Sequence, residues 1–300
     1  MTKRAKVLIA AAAATMLASP ATAYNQWGSY HWSTNGTGLT LKIERQINAA
    51  VWGTYFSGSV SDWNASDKLS LTGGSSNLGV DAKKCNPISG KALVCNEVYG
   101  FRGWLGIATI WANGDHIYQA TTKLNDSYFN TASYNKPEWR QLVACQEIGH
   151  DFGLDHQDET FDNPNLGTCM DYTNEPLGGG SYGPLQNLHP NSDDYATLDF
   201  MYSHDDTAGG GGGGGGGTCN PHSPKCTGGQ DAFTFREVGQ SLGSSSGRFV
   251  ADSGQWGEVI SRDRSGRPDA FLLDLGNGHR KITHVFWVPG YRPIPANMHD

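Results

Sequence analysis

The chain has 300 residues and a formal net charge of −7, with 22 Lys and Arg against 29 Asp and Glu. An acidic chain with 17% charged and 11% aromatic residues is excluded as a non-specific nucleic-acid binder, because phosphate attraction needs a basic face. The length allows one good-sized domain and a smaller one, and no internal repeat relates the halves.

The first segment reads as a leader. Lys3, Arg4 and Lys6 precede an apolar run over 7–18, and Ser19, Pro20, Ala21, Thr22 and Ala23 supply a small-residue cleavage pattern. The run falls short of the ~20 residues that span a bilayer. We therefore expect a signal peptide at 1–23, cut after Ala23, and a secreted (extracellular or periplasmic) product with no membrane contact.

In chain order, residues 39–43 alternate as a strand does, and 45–51 read as the start of a helix. Strands are expected at 68–71 and 105–111, the second apolar and β-branched as a buried strand should be. A turn at Asn113, Gly114 and Asp115 leads to another strand over 116–123. A helix is predicted over 136–152. Asn135 with Glu138 resembles a capping box, and Pro137 suits a first turn. Trp139, Leu142, Val143, Gln146 and His150 recur at spacings of three and four, so they share one face. Gly153 is placed to end that helix in a left-handed conformation.

Residues 209–217 are nine consecutive glycines, which cannot bury apolar surface and read as flexible coil. The expected organisation is a domain over 24–206, a Gly-rich linker with a small disulfide loop over 207–229, and a small β-rich module over 230–300. Strand candidates in the module are 232–238, 248–251, 256–262, 270–275 and 281–288. Its His279, His284 and His299 lack metal-site spacing and read as surface or turn residues. His31, His116, His189 and His204 read as structural or solvent-exposed.

Six cysteines in an exported chain read as disulfides. The simplest pairing is sequential: Cys85 with Cys95, Cys145 with Cys169, Cys219 with Cys226. A thiolate zinc site is the alternative, but no Cys-x-x-Cys pair occurs.

The chemistry-bearing stretch runs from Cys145 through Gln146, Glu147, Ile148, Gly149, His150, Asp151, Phe152, Gly153, Leu154 and Asp155 to His156. In the H-E-x-x-H pattern two ligands one helical turn apart face one metal, and the glutamate acts on water. Glu147 and His150 occupy their expected places. Gly153 permits the sharp turn after which His156 returns as the third ligand of H-E-x-x-H-x-x-G-x-x-H. Asp155 is the rival for that role, but His156 has the right offset from Gly153.

These residues, together with Thr168-Cys169-Met170-Asp171-Tyr172, resemble the metzincin clan of zinc metallopeptidases, and within it the matrixin-like bacterial members. Met170 looks like the methionine of the Met-turn, and Met170-Asp171-Tyr172 is similar to the astacin and serralysin branches. The resemblance covers about 24–202. It implies an α+β catalytic domain with a mixed twisted sheet, an active-site helix and the Met-turn. It also implies Zn2+ as cofactor and endopeptidase activity on a protein or peptide substrate, by a monomer. Glu147 would be general base, Tyr172 would approach the metal or the transition state, and Met170 and Gly153 would be structural. An edge strand, at 105–111 or the strand after it, would bind substrate in extended form.

One position departs from the pattern: Gln146 stands where the first histidine belongs. Either its amide oxygen is an adapted ligand beside His150 and His156, or the metal is lost and the chain is an inactive, binding-only relative. An amide oxygen is the poorer zinc donor in both cases.

Overall fold

A computed structural model describes residues 24–207 and 256–291 of the chain. The leader, the glycine run, Cys219 and Cys226, the strand candidates at 232–238 and 248–251, and His299 lie outside the described residues.

The described residues form a large mixed sheet with few helices, compatible with the α+β class. The first strands are β1 (His31–Trp32), β2 (Leu39–Gln46), β3 (Leu69–Thr72) and β4 (Lys91–Glu97). They are followed by β5 (Trp104–Asn113) and β6 (His116–Asn125), then β7 (Glu258–Arg262), β8 (Pro268–Gly276) and β9 (His279–Trp287). Their order is β3-β2-β4-β6-β5-β9-β8-β7, with β1 pairing the start of β6. The β3-β2-β4-β6 portion is parallel, and every pair from β6 through β5 to β7 is antiparallel.

Strand β2 shows why these residues pair as they do. Leu39, Leu41 and Ile43 are buried while Thr40 and Lys42 are exposed, the two-residue alternation of a sheet with one covered face. The strand runs on through Arg45 and Gln46, so the helix expected from 45 starts later, as α1 (Ala49–Trp63), capped by the Asn48 side chain on Ala50 N–H. A short α2 (Asp126–Phe129) precedes the long α3 (Pro137–His150), and α4 (Ser192–Tyr202) follows later. Helix α3 packs against α1 and across β5, β6 and β9. Its N-cap is Lys136 without a side-chain cap bond, with Pro137 at the first turn. Asn135 does not cap: its side-chain oxygen accepts from Arg140 instead, so the expected capping box is not formed.

Among the described residues, the C-terminal strands continue the sheet of the first domain and do not stand apart from it. Strand β9 pairs with β5 from Trp104↔Trp287 to Asn113↔His279, extending the sheet of the first domain. Ala270, Ile282 and Phe286 belong to the same core as Leu105, Ile110, Val143 and Ile148. On the other face Val285, Trp287 and Phe271 pack with Tyr99, Trp104 and Ile107. Burial on both faces makes β5 an interior strand, which is why its residues from Trp104 to Ile110 are all buried.

Among the described residues no helix is long and apolar enough to cross a membrane. His31, His116 and His204 surround the Asp206 carboxylate at 3.4, 3.3 and 2.9 Å. Burial alone would raise the Asp206 pKa. The Thr34 N–H and these imidazoles outweigh it and hold the group at about 2. The cluster ties β1 and β6 to the chain beyond α4. His189 is exposed and contacts Asp62 at 2.7 Å.

Candidate metal centre

Helix α3 carries Gln146, Glu147 and His150 into the interior beneath β5, and all three are buried. Glycines allow this close packing. A Cβ at Gly106 of β5 would lie 2.7 Å from the Glu147 side chain, and one at Gly149 would lie 2.7 Å from Met170 Sδ and from Trp63. Met170 therefore sits directly under the helix that bears the candidate ligands.

The helix stops at His150. Gly153, at φ +91°, donates its N–H to the His150 carbonyl and accepts at its own carbonyl from Trp27 N–H, 2.7 Å away. The reversal brings His156 back beside His150, with ring centroids 4.7 Å apart. Gln157 N–H donates to Met170 O and Tyr172 N–H to Asp158 O, so the chain after His156 runs alongside the Met170 turn.

Both histidines are oriented by an outer partner. His150 Nδ1 donates to the Leu154 carbonyl at 2.8 Å, and His156 Nδ1 faces Glu159 Oε1 at 3.4 Å. That leaves each Nε2 bare, and neither has a hydrogen-bond partner although both are buried. Such an imidazole, with its far nitrogen held by a carbonyl or carboxylate, is the form in which histidine binds metals. Burial, with His156 beside it, also holds His150 well below the usual histidine pKa and so keeps it neutral.

Neither oxygen of Glu147 makes a hydrogen bond of ordinary geometry. Burial pushes its pKa well above the usual carboxylate range, nearby Asp151 adds to this, and the Ala108 N–H offsets only part. Gln146 is also fully buried with both amide atoms unpartnered. Asp155 accepts the His156 backbone N–H at 2.9 Å, and with Glu159 it groups around His156 alone.

The residue that sequence reasoning missed is His284. Expected at the surface or in a turn, it is buried on β9, opposite Ala108 of β5. Its ring centroid lies 4.1 Å from that of His150 and 4.5 Å from that of His156. One ligand atom from each of His150, His156 and His284 falls within 4.8 Å of the others. His284 Nδ1 is 3.6 Å from Glu147 Oε2, and its Nε2 is 2.8 Å from the Tyr172 hydroxyl. Tyr172, buried against the His156 ring, thus meets a histidine from a remote strand. A signal was present: His284 is in phase with Ile282 and Phe286, the core-facing positions of its strand.

The expected substrate edge is also corrected. Strand β5 lies between β6 and β9, and β6 lies between β4 and β5, so neither is an edge.

Two of the sequential disulfides are formed, Cys85–Cys95 and Cys145–Cys169. The second joins α3 to the residue before Met170. Closing its 24-residue separation is worth on the order of 3 kcal/mol in the chain-entropy model. Replacing both cysteines by serine should lower unfolding free energy by about that amount in a denaturant titration. An unchanged midpoint would show that the bridge constrains nothing.

No protein-family model matches the chain, and no curated protein matches it.

Proposed function

We propose that the chain is a secreted zinc-dependent endopeptidase of metzincin type, acting on protein or peptide substrates. The observation that carries this is the buried cluster of His150 and His156, each with a bare Nε2, with His284, whose ring lies 3.6 Å from the buried Glu147 carboxylate. Leaving such groups buried without partners is costly unless a ligand completes them. The donor set suits zinc, which takes imidazole and oxygen ligands.

His150 and His156 would hold the metal, with the Gln146 side-chain oxygen available one turn before His150. Zinc, when bound, supplies Lewis-acid polarisation of the scissile carbonyl and lowers the pKa of water. Glu147 takes the proton from the attacking water and returns it to the leaving amine. Its buried setting, which raises its proton affinity, suits a group that must gain and then give up a proton at neutral pH. Gly106 lets that carboxylate lie against β5. Tyr172, the second catalytic candidate, has its hydroxyl on His284 while β9 is docked. Because β9 lies along β5, that edge is not open to an extended peptide.

The test is chelator-sensitive cleavage of casein by the purified chain in zinc buffer. Glu147→Gln should lose activity on the order of 100- to 10,000-fold while zinc stays bound, because the side chain works on the proton and not on the metal. Equal cleavage by both proteins sinks the mechanism.

A second reading has its own observation. Glu147, His150 and His284 are all buried and the β5 edge is filled, as in a closed, binding-only metal protein. No cleavage by either protein, with zinc still raising the melting temperature, would favour it.

A further inference from the structure

We infer that His284 is a ligand of the metal centre, supplying from β9 the imidazole that Gln146 does not supply from α3. The inference rests on the reading of His150 and His156 as metal ligands and extends it to a residue outside the motif.

Three observations meet at His284. Its position is fixed by sheet register, not by a loop: Ala108 opposes it on β5 and Ala270 on β8. Alternation turns it, with Ile282 and Phe286, toward the face that α3 covers. It then stands in van der Waals range of both candidate histidine ligands and within 4.8 Å of their ligand atoms.

The partners of its ring fit the role. Tyr172 O accepts from His284 Nε2–H at 2.8 Å in the tautomer that leaves the proton off Nδ1, which lies 3.6 Å from Glu147 Oε2. That is the same device by which Leu154 and Glu159 hold His150 and His156. The tyrosine after the Met170 turn is thereby an outer-shell residue of the β9 ligand. Trp27 closes the far side, packing on both His150 and His284. Three imidazoles, with a carboxylate beside them, form a donor set that zinc accepts. A consequence follows for folding: the metal would bridge α3, the turn after it and β9, so binding and docking of the C-terminal strands stabilise each other.

The test is titration of the full apo chain with Co2+, read by its visible spectrum, and with Zn2+ in competition. Wild type should bind one equivalent at this site. His284→Ala should weaken binding by more than the roughly 10- to 100-fold that loss of an outer-shell partner costs. Tyr172→Phe should fall within that smaller range. His284→Cys should restore tight binding and add a thiolate-to-cobalt charge-transfer band that wild type lacks, which only direct ligation produces. This variant decides the matter if the alanine protein fails to fold. Wild type without bound metal would overturn the metal reading itself, and this inference with it. Normal affinity in His284→Ala, or a folded His284→Cys without the band, would overturn the inference alone and leave His150 and His156 as ligands.

Discussion

A chain ending after Thr207 should fail to give a soluble, cooperatively folding protein. The truncation removes β9 and bares the whole of β5 between Trp104 and Asn113. It takes Ile282, Val285 and Phe286, all with no exposed surface, and Trp287 at 2% out of the two clusters they help to build. Each such side chain contributes roughly 1.5–3 kcal/mol by its burial. Four of them rival the total of about 5–15 kcal/mol that holds a domain together. The newly exposed edge, apolar on both faces, is also a template for intermolecular pairing. Size-exclusion chromatography and thermal melting of residues 24–207 measure this. A monodisperse fragment melting within about 5 °C of the full chain would mean that β7, β8 and β9 only decorate a complete domain.

This outcome opposes what the glycine run suggests, and the reason is physical. A run that cannot bury apolar surface identifies a tether, but it carries no information about whether the segments it joins dock on each other. The β5–β9 pairing joins residues some 170 positions apart, and no local period encodes it. The His284 error has the same root. Ligand spacing along the chain finds Glu147, His150 and His156 because a helix and one glycine turn bring them together. It cannot find a residue delivered by strand register. What helical spacing did reveal was α3, although every residue from Leu142 to His150 is buried, so burial is not confined to the face of Trp139, Leu142, Val143, Gln146 and His150. Strand β4 escaped notice because Ala92 to Asn96 are buried on both faces and show no alternation. Helix α4 was also overlooked, although Asn191 and Asp194 form the capping box that announces it.

Gly153→Ala should be among the most damaging single substitutions, although it adds only one methyl group. Gly153 sits at φ +91°, where an L side chain costs on the order of 1–3 kcal/mol in backbone strain. A Cβ there would also stand 2.2 Å from the Tyr30 carbonyl oxygen and 3.0 Å from Met201 Cε. The first of these is backbone and cannot swing aside, so the N-terminal segment that braces the turn through Trp27 must move. His156 follows the same turn, so its position relative to His150 should be lost along with stability. The expected result is a melting temperature lower by roughly 10 °C or more and a matching drop in metal affinity, given about 2–4 °C per kcal/mol for a domain this size. Gly114→Ala is the control. Gly114 has φ +59° but nothing within 4 Å of an added Cβ, so it carries only the conformational cost of about 1 kcal/mol. If the two variants melt together and bind metal equally, the turn at Gly153 is held by φ alone and the contact with Tyr30 is not a constraint on the site.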